Sequence, residues 1–337
     1  MAQLCTALRA GRGFAHKRDI GDVLGQLAGA LPGGTQDLAQ AVGVGDDCAA
    51  IAFKDADGDG YLLFAIEGFM EDFVQAQPWF AGWSGVMVNL SDIAAMGGRP
   101  IAVVDALWSD GAEPGAQVLL GLAAASQRYG VPIVGGHSNN RAPRGQLAVA
   151  VLGRARRLLT SFNARPGDTL VMAIDLRGAY EEPNPFWNAA TSAPAARLRS
   201  DLELLPALAE DGLADAAKDI SMAGAVGTAL MLLEGSKVGA TIDVAAIPRP
   251  TGVPLQRWLQ TFPSFGFVLS LRPDKAAVVL ERFTARGIAA AAVGEVSATP
   301  QLWLRGGRDV ALLWDLDSES FIGARSVVPA VAEVTHA

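Results

Sequence analysis

Paired acidic side chains are the strongest chemical signal in this sequence. Asp46 and Asp47 are adjacent and precede the apolar run CAAIAF. Two neighbouring carboxylates repel each other in a partly buried site unless protons or a cation neutralise them. Carboxylate oxygens are also the ligands that Mg²⁺ takes in proteins. The pair therefore predicts a metal site, and a solvated turn or helix cap is the alternative for either aspartate alone.

Three further carboxylates stand at the ends or on the faces of predicted elements. Glu67 follows the apolar strand LLFAI, and Asp219 precedes an alanine-rich helix. Asp92 lies on a long helix that Pro78 opens, and Asn89 shares its face. A solvated turn or cap is again the alternative for each carboxylate. Together with the aspartate pair, they form the candidate metal-binding set.

The elements that would position these side chains alternate between helix and strand. A length of 337 residues fits two domains, and the pattern predicts layered α/β domains with mixed sheets, in the α+β class. We expect the N-terminal domain over 1–160 and the C-terminal domain over 161–337. A proline- and asparagine-rich stretch at 177–196 has no periodicity and reads as an insertion or lid. Four of its side chains either contact substrate or pack within the loop: Tyr180, Phe186, Trp187 and Asn188.

Composition excludes several classes of function. A net charge of -8 and a pI near 5.0 disfavour a nucleic-acid partner. The two cysteines, Cys5 and Cys48, support neither a disulfide framework nor a zinc site. No apolar stretch is long enough to cross a membrane, and the N-terminus lacks a secretory apolar region, so we expect a cytoplasmic protein. The common nucleotide-binding loop motifs GxxxxGK[ST] and GxGxxG after a strand are also missing.

Six segments in a fixed order resemble one enzyme superfamily. They are VGVGDDCAAI, NLSDIAAMGGRP, VGGHSNN, KDISMAG, GATIDVAAIP and VGEV. The superfamily contains aminoimidazole ribonucleotide (AIR) synthetase, thiamine-monophosphate kinase, selenophosphate synthetase and the carbamoyl dehydratase of hydrogenase maturation. The resemblance extends from Gly43 to Val296 and is greatest to an AIR synthase-related branch.

The resemblance implies both an architecture and a ligand set. It implies a homodimer in which the N-terminal sheets form a shared barrel, with ATP bound in a cleft and Mg²⁺ on its phosphates. Carried over residue by residue, the metal ligands would be Asp46, Asp47, Glu67, Asp92 and Asp219.

The resemblance also implies contacts to the nucleotide. Asn89 would face it from the same side of the helix as Asp92, and Gly135 and Gly136 would let the backbone approach phosphate closely. His137 follows these glycines and is either a ligand contact or a structural histidine. Lys17 in the segment GRGFAHKR would contact phosphate or, alternatively, lie on the surface.

Departures from the superfamily pattern restrict the function. Met222 stands where the ISDG segment has its second acidic residue, which removes one candidate ligand. His137 replaces an aspartate of the kinases, and PSFGFVL replaces their GGEDYE segment, so thiamine phosphate is a poor substrate candidate. Cys5 has no neighbouring lysine and is interpreted as an ordinary thiol.

Two functions follow from these features. The first is an ATP- and Mg²⁺-dependent enzyme that activates an oxygen of a small metabolite by phosphoryl transfer, as a kinase, cyclo-ligase or dehydratase. The second is a nucleotide-binding or scaffold homologue without turnover, for which Met222 and the altered GGEDYE segment argue. The retained aspartates favour the enzyme.

Overall fold

A computed structural model describes residues 1–27, 44–56 and 58–323 of the chain. The predicted domain ranges 1–160 and 161–337 also include residues outside this part, and Gly43 is one of them. The N-terminal elements, in chain order, are α1 (Ala2–Arg9), α2 (Arg12–Leu27), β1 (Ala49–Asp55), β2 (Gly58–Phe69), α3 (Glu71–Ala76), α4 (Pro78–Ala95), β3 (Arg99–Asp110), α5 (Ala112–Tyr129), β4 (Ile133–Asn139) and β5 (Arg141–Ala155).

The first sheet has five strands in the order β1-β2-β5-β3-β4. Its pairs are antiparallel except β3 with β4, which is parallel. Helices α4 and α5 cover one face. The opposite face and the edge strand β4 expose large apolar side chains: Ile51, Phe64, Ile66, Ile101, Val104, Ile133, Val134 and Leu152. The sheet does not close into a barrel within the described chain.

The remaining elements build the C-terminal half. They are β6 (Thr169–Ile174), β7 (Ala179–Tyr180), β8 (Phe186–Asn188), α6 (Ala195–Leu202), α7 (Leu204–Glu210), β9 (Ala216–Asp219), α8 (Gly224–Ser236), β10 (Gly239–Asp243), α9 (Leu255–Trp258), β11 (Phe262–Pro263), β12 (Gly266–Leu271), α10 (Ala276–Thr284), β13 (Ala289–Ser297), β14 (Gln301–Gly306) and β15 (Asp309–Asp315). A short 3-10 helix, Pro273–Lys275, precedes α10.

Two sheets organise this half. Seven strands follow the order β15-β14-β10-β13-β6-β12-β9, and β11-β8-β7 form a small third sheet. The seven-stranded sheet is mixed, because β10 pairs in parallel with β14 and antiparallel with β13. The α+β class with mixed sheets is therefore confirmed. The expectation that 177–196 lacks regular structure is wrong, since β7, β8 and the start of α6 lie within it.

The two halves interlock rather than meet at a simple boundary. Leu8 and Phe14 of the first two helices belong to the core of the seven-stranded sheet, where the Phe14 ring lies 5.0 Å from that of Phe321. Conversely, Ala190 and Leu198 pack into the core of the five-stranded sheet. Burial of these side chains gains free energy in proportion to their apolar area. The segments that carry them therefore hold the two halves together. In the described part of the chain, no helix has the length and apolarity that a membrane crossing needs.

Candidate functional site

Three elements from both halves converge on one acidic centre. The loop before β1 supplies Asp47, α4 supplies Asp92, and the last residue of β9 is Asp219. β9 is the edge of the seven-stranded sheet, and its free side lies against α4. These contacts bring the carboxylate of Asp92 to that of Asp219.

The position of helix α4 is fixed because all of its faces are buried. Pro78 occupies its first turn, and every residue from Phe80 to Ala95 is buried. The helix ends where Gly97 adopts a φ of +74°, and a Cβ there would lie 2.8 Å from the carbonyl oxygen of Arg157. A glycine is therefore required at this turn. The prediction of this helix from the sequence is confirmed.

Asp47, Asp92 and Asp219 form a group that can hold a metal ion. One carboxylate oxygen from each lies within 4.8 Å of the other two. Asp92 and Asp219 are only 4% and 3% exposed, and an Oδ2 atom of each has no hydrogen-bond partner among the described residues. Unpaired buried carboxylate oxygens are costly, and a bound cation would offset that cost.

The titration of these carboxylates shows the same unbalanced charge. Burial raises the pKa of Asp47 to about 7, against the lowering effect of Lys218. Burial likewise raises the pKa of Asp219 to about 6. Burial, and then the negative charges of Asp219 and Glu67, raise the pKa of Asp92 well above its usual range. Each shift means that the folded chain disfavours the ionised form in the absence of a further cation.

Lys218 lies in this centre and was not foreseen from the sequence. It is 5% exposed, and its Nζ contacts Oδ1 of Asp47. Burial lowers its pKa, but the charges of Asp47, Asp46 and Asp219 outweigh this effect and the net pKa is raised. A lysine before an aspartate gives no local pattern in the sequence. Its only signal is its place after two alanines in the short strand Ala216–Asp219, where an unpaired charge would be costly.

The other predicted ligands flank the group in different ways. Glu67 lines the same cavity of about 240 Å³, as does Lys17. Burial raises the pKa of Glu67, and the charge of Lys17 opposes that rise. Asp46 also lines the cavity, but its carboxylate accepts hydrogen bonds from Thr160 Oγ1 at 2.5 Å and from Ser161 N and Oγ at 3.0 and 2.7 Å. Asp46 thus ties the loop to the segment that joins the two halves.

The structure does not bring the remaining predicted residues into this cavity. Asn89 is fully buried one helical turn before Asp92, and its Nδ2 donates to the carbonyl oxygen of Gly85 at 2.8 Å. Gly135, Gly136 and His137 lie on the exposed edge strand β4 and do not line the cavity. Their role toward a nucleotide stays a prediction.

The fold and this site define a two-part α+β protein whose halves share a buried acidic centre. Residues 45–155 match the N-terminal domain, and residues 178–305 the C-terminal domain, of AIR synthase related proteins. An uncharacterized protein of Synechocystis sp. is 46% identical over 327 residues, which cover 96% of this chain and 98% of the relative. The chain belongs to the AIR synthase related family.

More distant relatives include enzymes of known class. Thiamine-monophosphate kinase of Synechococcus elongatus is 28% identical over 269 residues, covering 71% of this chain and 79% of the kinase. Among solved structures, Thermotoga maritima PurL complexed with ATP superposes with a TM-score of 0.67 at 21% identity over 85% of this chain. The chain spans about half the length of PurL, since the match covers 47% of it. The AaThiL complex with AMPPCP and TMP has a TM-score of 0.61 at 18% identity, covering 79% of this chain and 90% of that one. These structural likenesses establish the fold.

Proposed function

We propose that this chain is an ATP- and Mg²⁺-dependent enzyme that activates an oxygen atom of a small metabolite by phosphoryl transfer, as a kinase, cyclo-ligase or dehydratase does. The observation that carries this proposal is the buried group of Asp47, Asp92 and Asp219, with its two unpartnered oxygens. Catalysis of phosphoryl transfer depends on positioning and charge neutralisation more than on acid-base residues. A site rich in carboxylates and lysines suits that chemistry.

The residues present fit a magnesium ion. All candidate donors are hard oxygen atoms, which Mg²⁺ prefers over nitrogen and sulfur. Asp92 and Asp219 would hold the ion through their free oxygens, and Asp47 through the oxygen that Lys218 does not contact. Bound Mg²⁺ would offset negative charge on a phosphoryl group. Lys17, which also lines the cavity, would contact a phosphate oxygen.

We also propose that the chain acts as a homodimer in the cytoplasm. The exposed apolar face of the five-stranded sheet carries Phe64 at 51% and Ile66 at 64% exposure. A face of this composition costs free energy in water and marks an interaction surface. A second copy of the same face would cover it and close the barrel. This arrangement would also carry Gly135, Gly136 and His137 toward the partner chain.

The alternative is a nucleotide-binding scaffold without turnover. Met222 favours it, because this thioether lines the carboxylate cavity at a position where an acidic residue would add a ligand. The two functions differ in whether ATP is consumed. They do not differ in whether ATP binds.

Product formation separates the two. The purified chain is incubated with ATP, Mg²⁺ and a panel of small amides, alcohols and phosphorylated metabolites, and ADP and phosphate are measured. Acceptor-dependent ADP formation that disappears in Asp219→Asn, but persists in the exposed control Asp59→Asn, supports the enzyme. ATP binding with no ADP formed against any acceptor supports the scaffold.

A further inference from the structure

A second cavity adjoins the carboxylate cavity. Its volume is about 170 Å³, and Glu67, Val88, Met222 and Phe262 line both spaces. A molecule in the second cavity would therefore lie next to the carboxylates. The walls of this cavity include five phenylalanines and one tryptophan: Phe69, Phe73, Phe80, Phe186, Trp187 and Phe262.

Contacts among four separate elements hold the rings in place. Phe73 of α3 meets Phe186 edge-on, with centroids 5.0 Å apart, and meets Phe80 of α4 at 5.9 Å. Phe186 lies opposite Phe262 in the β8–β11 pair, with centroids 6.1 Å apart. Edge-to-face packing of this kind fixes ring positions. The third sheet thus shapes the cavity, which gives the insertion at 177–196 a defined structural role.

One residue that lines the cavity has a buried polar atom without a partner. Trp187 is 7% exposed, and its Nε1 has no hydrogen-bond acceptor among the described residues. Its ring is fixed edge-on to those of Tyr180 and Trp258, with centroids 5.2 and 5.4 Å away. A buried N–H without an acceptor costs free energy. A ligand with one acceptor oxygen would satisfy it.

The charge of the lining restricts the ligand further. The titratable side chains among the described residues that line the cavity are His16 and Glu67, and none of these residues is a lysine or arginine. The Nε2 atom of His16 accepts a hydrogen bond from Arg12 Nε at 3.5 Å. Arg12 contacts Met70 at the rim, but it also pairs with Asp72 and its side chain is 58% exposed. A phosphate or carboxylate held inside would lose its hydration without a lysine or arginine of the lining to replace it and would face Glu67.

We propose that this cavity binds the acceptor of the reaction, and that the acceptor is an uncharged, planar ring compound with an oxygen-containing substituent. The proposal rests on the function proposed above and narrows it, because phosphorylated acceptors are excluded. The ring lies among the aromatic walls, and an oxygen accepts from Trp187 Nε1. A second oxygen-bearing group reaches the carboxylate cavity past Glu67.

Two probes with one ring test the charge requirement. Benzamide is neutral and benzoate is an anion of nearly equal shape, so saturation-transfer NMR with the full chain compares them directly. We expect benzamide to bind and benzoate to bind at least about tenfold more weakly, as an unpaired buried charge requires. Equal or tighter binding of benzoate, or no binding of benzamide, overturns the proposal.

Matched tryptophan variants locate the binding. Trp187→Phe keeps the ring but removes the N–H, and we expect it to weaken benzamide binding about fivefold. Trp303→Phe, on the half-buried side of β14, removes an N–H that donates to Gln301 and should have no effect. Equal losses in both variants contradict the assignment. Circular dichroism checks that both variants remain folded. If Trp187→Phe does not fold, the comparison of benzamide with benzoate on the unmodified chain decides the proposal.

Nucleotide affinity distinguishes the acceptor's ring from the adenine base of ATP. Calorimetry should give the same affinity for ATP with Mg²⁺ in Trp187→Phe as in the unmodified chain. A parallel loss of ATP and benzamide binding assigns the cavity to the base and overturns the proposal. If ATP does not bind the unmodified chain at all, the proposed function fails, while the benzamide measurements still decide what the cavity accepts.

Discussion

At the scale of single residues, the central feature is an excess of negative charge buried at one point. Five carboxylates line the cavity and two lysines oppose them: Asp46, Asp47, Glu67, Asp92 and Asp219 against Lys17 and Lys218. Lys218 neutralises Asp47 directly, but the free oxygens of Asp92 and Asp219 remain. Such a centre is destabilising while its carboxylates are ionised and unpaired, and a bound cation or protons would offset this cost.

This imbalance predicts how stability depends on pH. Aspartates have a pKa of about 4 in an unfolded chain. In the folded chain, the pKa of Asp47 is raised to about 7 and that of Asp219 to about 6. Between these values the folded state binds more protons than the unfolded state, so stability falls as pH rises. With EDTA present, the midpoint of thermal unfolding should therefore be lower at pH 8 than at pH 5.

Magnesium should remove most of the fall in the unfolding midpoint between pH 5 and pH 8, because the cation replaces the protons. The control is Asp92→Asn, in which one of the repelling charges is gone and the pH dependence with EDTA should be shallower. Differential scanning fluorimetry of both chains, each with EDTA and with Mg²⁺, gives four curves of the unfolding midpoint against pH. A midpoint with EDTA that rises between pH 5 and pH 8 in the unmodified chain contradicts the account.

At the scale of elements, α2 lies directly on the loop that follows β9. A Cβ at Gly13 would lie 1.9 Å from the carbonyl oxygen of Met222, so the two backbones touch. Lys17 is one helical turn further along α2 and lines the carboxylate cavity. The contact at Gly13 therefore sets the position of Lys17 relative to Asp219.

Two alanine substitutions on the same helix test this contact. Gly13→Ala must displace α2 from the loop, and we expect a loss of about 1–3 kcal/mol in the free energy of unfolding together with weaker binding of ATP. Gly25→Ala meets nothing within 4 Å and should stabilise the helix by about 0.5–1 kcal/mol. Denaturant unfolding and calorimetry report the two effects. Equal ATP affinity in the two variants would show that α2 does not position Lys17.

The sequence predicts some of these elements and not others, for physical reasons. α4 is predictable because Pro78 opens it and Gly97 closes it, and the acidic pair is visible because its residues are adjacent. Lys218 could not be assigned, because its partner Asp47 is distant in the chain and only the fold joins them. The sequence does not predict the aromatic cavity for the same reason: its rings come from β2, α3, α4, β8 and β11, and no local spacing relates them.

At the scale of the whole molecule, the five-stranded sheet has an exposed apolar face that nothing covers among the described residues. Phe64 pairs across the sheet with Leu152, and Ile66 with Ala150, so the face is continuous over neighbouring strands. Strand β4 leaves one edge of this sheet open as well. Both features favour association with another sheet.

Charge placed on this face should prevent association. We expect Phe64→Lys to convert a dimer of the chain into a monomer, because two lysines would be buried against apolar surface. Leu120→Lys, on α5 at 56% exposure, is the control and should leave the dimer intact. Light scattering coupled to gel filtration gives the masses. An unmodified chain that is monomeric at all concentrations, or a dimer that survives Phe64→Lys, would rule out this face as the interface.

The most direct test of the acidic centre is the binding of ATP measured by calorimetry, with Mg²⁺ and with EDTA. The unmodified chain should bind ATP when Mg²⁺ is present and lose that binding in EDTA. Asp92→Asn should weaken the Mg²⁺-dependent binding at least about tenfold, the least that disturbing a metal site costs, while Asp59→Asn leaves it unchanged. Binding that is equal in Mg²⁺ and EDTA, or equal in Asp92→Asn and the unmodified chain, would contradict a metal-nucleotide site at Asp47, Asp92 and Asp219.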